Sequence, residues 1–98
     1  MLKATPHVQV DNGWAKVTEW RLAPGAQTGP RVHEYDYVVV PLTSGILRLE
    51  EPTGVRELRL EMGVSYARGQ GVAHNVINAN DYEFRFVEIE LISRSAAL

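Results

Sequence analysis

Over Val55 to Val64 polar and apolar side chains alternate, with Leu58, Leu60, Met62 and Val64 on one parity and Glu57, Arg59, Glu61 and Gly63 on the other. A period of two belongs to a strand with one buried face, whereas an amphipathic helix needs apolar side chains three and four apart. Gly45 to Glu50 repeats the pattern, with Leu47 and Leu49 opposite Arg48 and Glu50. The intervening Glu51-Pro52-Thr53-Gly54 reads as a turn, so the two segments are expected to form an antiparallel hairpin. Further strands are expected at Val8 to Asp11, Trp14 to Leu22, Asp36 to Val40, Ser65 to Ala67, Asn75 to Ala79 and Glu83 to Ile92. Gly, Pro, Asn or Asp punctuates nearly every gap between them.

Many short antiparallel strands with such turns define an all-β sandwich or barrel, in which curling protects the strand edges. With 98 residues the chain has room for one core, because two would each need roughly 50 or more. One domain over residues 1–98, with a core over about 5–92, is expected, and Ser93 to Leu98 reads as a frayed tail or a short cap on a barrel end. In the last strand Phe84 and Phe86 share one parity while Val87, Ile89 and Leu91 share the other. Either a bulge resets the register after Phe86 or both faces are covered, and a two-sided strand in so small a domain implies a partner subunit. A homodimer is therefore expected, with Trp14 and Trp20 covering a sheet face or joining the contact.

Ten basic and 12 acidic residues leave a net charge of −2 with no basic stripe for a nucleic-acid backbone. The longest apolar run, Val38 to Leu42, is too short to span a bilayer. The absence of cysteine removes thiol chemistry, thiolate metal sites and disulfides, and is compatible with a cytoplasmic location. No phosphate loop and no nucleophile motif around Ser44 or Ser65 is present. Glu88 and Glu90 read as a solvated strand face.

Chemistry therefore falls to few residues. The histidines are His7, His33 and His74; His7, beside Pro6 near the terminus, reads as an ordinary surface residue. Two positions before His33 stands Arg31, which has no lone pair to offer a metal, so the two do not form a double-histidine ligand pair. Tyr35 and Tyr37 share the parity of His33 if the strand is regular from there. Downstream, Gly63-x5-Gly69-x-Gly71-x2-His74-x3-Asn78 resembles the second conserved motif of the cupins, G-x5-P-x-G-x2-H-x3-N, with Gly69 in place of proline. The stretch from Gly25 to Gly45 resembles a degraded form of the first cupin motif, G-x5-H-x-H-x3,4-E-x6-G. There His33 resembles the second histidine, Arg31 stands where the first should be, Tyr37 falls at the glutamate position and Gly45 resembles the closing glycine. The stretch from His33 to Leu42 is similar to the small single-domain cupins grouped with proteins of β-alanine breakdown.

The resemblance implies a double-stranded β-helix, the RmlC-like jelly-roll barrel, often dimeric and with a pocket at one end lined by motif residues. It implies a site that in relatives holds a divalent transition metal through three histidines and a glutamate. Here only His33 and His74 match as metal ligands, with Arg31 and Tyr37 in the other two places. The leading expectation is a pocket that binds a polar or anionic small molecule through Arg31, Tyr35, Tyr37 and Asn78. Any catalysis would fall to His33 and His74 as proton-transfer groups, since imidazole titrates near neutrality. A metal-dependent, dioxygenase-like enzyme using His33 and His74 is one alternative, and a non-catalytic structural dimer the other.

Overall fold

Nine strands and no helix make up residues 2–92, the part of the chain that the computed structural model describes; the expectation of a tail or cap at Ser93 to Leu98 lies outside it. The strands are β1 (Thr5–Asp11), β2 (Ala15–Leu22), β3 (Arg31–Val32), β4 (Asp36–Pro41), β5 (Gly45–Glu51), β6 (Gly54–Leu60), β7 (Tyr66–Arg68), β8 (Ala73–Asn78) and β9 (Phe84–Leu91). They form a five-stranded sheet in the order β1-β2-β9-β4-β7 and a four-stranded sheet in the order β3-β8-β5-β6, with every strand pair antiparallel. This is the jelly-roll double-stranded β-helix of a small single domain. Among the described residues no helix is long and apolar enough to cross a membrane.

The alternation read from the sequence places the core. The β5–β6 hairpin forms in the expected register, with Leu47 opposite Leu58 and Glu51 opposite Gly54. The strand stops at Leu60, however. Val64 N donates to Glu61 O at 3.0 Å in a turn, and Met62 and Val64 are exposed although they continue the period. Strand β9 keeps an unbroken register against both β2 and β4, so no bulge follows Phe86. Phe84, Phe86 and Glu88 all point inward and are buried, while Val87 and Ile89 on the opposite parity are half-buried. The register break lies instead in β1, between Val8 and Val10.

The interior is graded from end to end. Along β8 the inward side chains run from His74 through Val76 to Asn78. Leu22, Val39, Leu47, Leu49, Val76 and Phe86 fill the middle with apolar side chains. Polar groups are confined to the two ends, and they are arranged in opposite ways.

Candidate functional site

Short strand β3 sets the site. Its two residues pair with β8 so that Arg31 lies opposite His74. His33 follows at once, and its backbone is fixed from both sides: its N–H donates to Val72 O at 2.9 Å and its carbonyl accepts from Gly71 N at 2.8 Å. Gln70 N donates to Asp36 Oδ1 at 2.8 Å, which ties the Gly69 to Gly71 turn to the start of β4. Gly71 has φ +93°, a conformation that glycine adopts without the Cβ clash. These contacts bring together two histidines 41 residues apart, with 3.0 Å between their Nε2 atoms. The rings meet edge to face, 5.0 Å between centroids, and His33 also stacks on Tyr37 at 3.8 Å and 17°.

Both rings are neutral at pH 7. Burial comes first in lowering each to about 4, followed by the positive charge of Arg31. Each ring is therefore one donor and one acceptor, and a single Nε2 proton is shared between them. Burial likewise pushes the Tyr37 phenol up to about 12, which leaves it a neutral hydrogen-bond donor.

The charge of the site sits on Arg31 and Glu88. Arg31 Nη2 donates to both carboxylate oxygens, at 3.0 and 2.7 Å, and the guanidinium lies 4.8 Å over the Trp20 ring. Glu88 is only 2% exposed, and its Oε2 lies 3.8 Å from His33 Nε2. Burial raises the Glu88 carboxyl above its ordinary range, and the pull of Arg31 opposes this only in part. The Trp20 N–H assists Arg31 without closing a hydrogen bond of good geometry. Four buried polar atoms here have no hydrogen-bond partner in the protein: Trp20 Nε1, Arg31 Nε, Tyr37 Oη and His74 Nδ1. Buried polar groups are nearly always paired, so four in one region mark it out.

Two spaces adjoin these atoms. An interior cavity of about 20 Å³ is bounded by Arg31, Tyr37, Tyr66, Arg68, His74 and Glu88 among others, and it has room for about one water molecule. An open groove of about 410 Å³ runs between β3, the start of β8 and the β5–β6 turn, with Arg31, Glu50, Glu51, His74 and Asn75 on its walls. Arg31 and His74 line both spaces and so form the partition between them.

Of the residues expected at the site, Arg31, His33, His74 and Tyr37 come together. Tyr35 lies in the bend before β4, outside the strand, and lines neither space, because β4 begins only at Asp36. Asn78 lies at the far end of β8, with its amide donating to Leu22 O and Tyr82 O. The reading of Glu88 as part of a solvated face is overturned by its burial; only Glu90, half-buried, comes nearer to it. The expectation of a divalent transition metal, with Arg31 and Tyr37 replacing its usual histidine and glutamate, is also corrected. Carboxylates are present at Glu88 and Glu19, but Glu88 is bound to Arg31, and Glu19 pairs with Arg21 and Arg85. The two Nε2 atoms face each other, and among the described residues no group of three or more His, Cys, Asp or Glu converges to hold an ion. A guanidinium against the pair makes the donor set unsuited to a cation.

A jelly-roll barrel with motif histidines meeting at one end is the architecture of a cupin. The crystal structure of a cupin domain from Bordetella pertussis Tohama I superposes with a TM-score of 0.92 at 55% identity, covering 94% of this chain and 96% of that one. A double-stranded β-helix protein from Klebsiella pneumoniae, 19% identical, shares the fold with a TM-score of 0.77 over 95% of this chain and 80% of its own. No family model matches the sequence. The chain is 57% identical over 89 residues to the β-alanine degradation protein BauB of Pseudomonas aeruginosa, covering 91% of this chain and 94% of that protein. It belongs to the cupins, in the group of small single-domain members related to BauB.

Proposed function

We propose that this protein binds a small carboxylate-bearing molecule in the groove at Arg31 and His74. The observation that carries the reading is an unpaired donor on the arginine of the groove wall. Arg31 Nε carries a hydrogen with no acceptor in the protein, and its guanidinium forms part of that wall. A planar guanidinium recognises a carboxylate through paired charge-assisted hydrogen bonds, and the groove volume falls within the range typical of ligand pockets. The Nε2 atoms of the two rings are tied to each other, so His74 Nδ1, with no partner in the protein and on a ring that lines the groove, is the nitrogen left to exchange a proton with a bound molecule if it reacts. The relationship to a protein of β-alanine degradation makes β-alanine the first probe. In a titration followed by amide NMR shifts, the wild-type protein should respond at Arg31, Ala73 and His74. Arg31→Lys keeps the charge and loses the fork, and should bind about tenfold more weakly, equal to about 1.4 kcal/mol. Absence of any saturable shift in the wild type would reject the reading.

We also infer that the protein is a homodimer. A single apolar row, Val10–Val17–Ile89–Val38–Ala67, crosses the outer face of all five strands of the larger sheet, and every residue of β1 is exposed. A second copy applied by a two-fold axis matches this row with itself, which is what an isologous contact needs. Sedimentation at micromolar concentration should give twice the chain mass, and Ile89→Arg should return the monomer.

A further inference from the structure

Arg31 offers its two sides to different surroundings. One side faces the interior, where Nη2 holds both oxygens of Glu88; the other forms part of the groove wall, and the side chain is 30% exposed. Glu88 lines only the interior and its side chain is almost wholly buried. On β9 it lies between Thr18 of β2 and Val39 of β4, neither of which bears a charge. Among the described residues Arg31 is the one permanently charged group paired with it, since His33, 3.8 Å away, is neutral at pH 7. A buried pair of this kind is weak support for stability, because taking two charges out of water costs about as much as their attraction returns. Its geometry is nevertheless that of a carboxylate recognised by arginine, supplied by the chain itself.

We propose that Glu88 is the resident occupant of a carboxylate site built on Arg31, and that an external carboxylate entering from the groove binds by taking its place. The proposal rests on the small-carboxylate reading above and narrows it to a ligand class. Glu88 is tethered, so it competes at a high effective concentration that a free carboxylate must overcome. A molecule with a carboxylate and nothing else loses that contest. A molecule carrying a second polar group, which gains further contacts with Glu50, Asn75 or His74 on the groove walls, wins it. Glu88 thus acts as a selectivity device that excludes simple acids by competition.

The test uses propionate, which has one carboxylate and no second polar group, with the intact protein and Glu88→Gln. The glutamine keeps the shape and leaves Arg31 without its anion. Amide-shift titrations should show propionate binding at least tenfold tighter to E88Q than to the wild type. A second variant, Glu88→Ala, opens the position. Sodium formate should raise its thermal midpoint in a saturable way beyond an equal concentration of sodium chloride, and should leave the wild type unmoved. If E88A does not fold, the E88Q comparison decides alone. Propionate affinity within twofold of wild type in E88Q, with wild-type binding measurable, overturns this proposal and leaves the carboxylate reading standing, as does an equal effect of formate on both proteins. Failure of β-alanine to bind the wild type together with failure of propionate to bind E88Q overturns both.

Discussion

Asn78 at one end of the barrel and His33 and Glu88 at the other are buried to a similar depth, and the two ends treat them differently. At one end Asn78 donates to Leu22 O and Tyr82 O at 2.9 and 2.8 Å, while its own oxygen accepts from the backbone and side-chain nitrogens of Asn80. Asn80 in turn bonds both backbone groups of Ile46, and Tyr82 Oη donates to Ser44 O at 2.7 Å. Gly45 makes room for this cluster, since a Cβ there would meet Asn80 Oδ1 and Tyr82 Oη at 2.7 Å each. At the other end Arg31, His33, Tyr37, His74 and Glu88 are drawn as close together, yet four buried polar atoms find no partner in the protein. Burial of polar groups therefore says little until the pairing is examined. A closed network fixes a chain reversal, whereas an open one has capacity left for a ligand.

The largest expected effect tests the closed end. Asn78→Ala strands Leu22 O, Tyr82 O and the Asn80 amide together, and should destabilise the protein by about 3 kcal/mol in urea unfolding. The folded fraction should bind β-alanine as the wild type does. A cost below about 1 kcal/mol would mean that water replaces the network easily, and the contrast between the ends would fail.

A smaller effect, with a defined sign, belongs to the open end. His33 and His74 have folded pKa values near 4, below the 6.5 of the unfolded chain. Between pH 6.5 and 4 the unfolded state binds more protons than the folded one, so stability rises with pH through this window and falls on acidification. Glu88, raised by burial, works in the opposite direction above the ordinary carboxylate range, but it is one group against two. A net loss of about 2 kcal/mol on going from pH 6.5 to 4.5 is expected from urea titrations, and the double variant His33→Gln, His74→Gln should flatten the slope. A slope unchanged in that variant would place the acid sensitivity elsewhere.

What the sequence made legible follows from whether the signal was local. Period two revealed β5 and β6, because parity is a property of neighbouring residues, and left β9 open between a bulge and two covered faces. It overshot at Met62 and Val64, where a turn follows the strand while the alternation runs on. The meeting of His33 with His74 is not local, and only the likeness to two cupin motifs foretold it. Those motifs serve both ends of the barrel: His33, Gly71 and His74 build the open site, whereas Gly45 and Asn78 build the closed cluster. Glu88 was missed by assuming that a strand acid faces water, although Phe84, Phe86 and Glu88 share a parity and two of the three are phenylalanine. Arg31 in place of a histidine was the clue to an inward carboxylate, its partner Glu88.

The finest comparison removes one hydroxyl from each end. Tyr82→Phe deletes the donor to Ser44 O, and should cost about 1 kcal/mol because that carbonyl loses a well-placed partner. Tyr37→Phe deletes a buried hydroxyl with no partner in the protein and keeps the ring stacked on His33. Its stability should stay within about 0.5 kcal/mol of wild type, because nothing in the fold depends on that oxygen. The phenol stays protonated well above neutral pH, so what its loss removes is a hydrogen-bond donor to the interior cavity. An unchanged urea midpoint in Y37F beside a lowered one in Y82F would separate the ends. Equal stability losses in both variants would show that the open end is sealed by its own contacts after all.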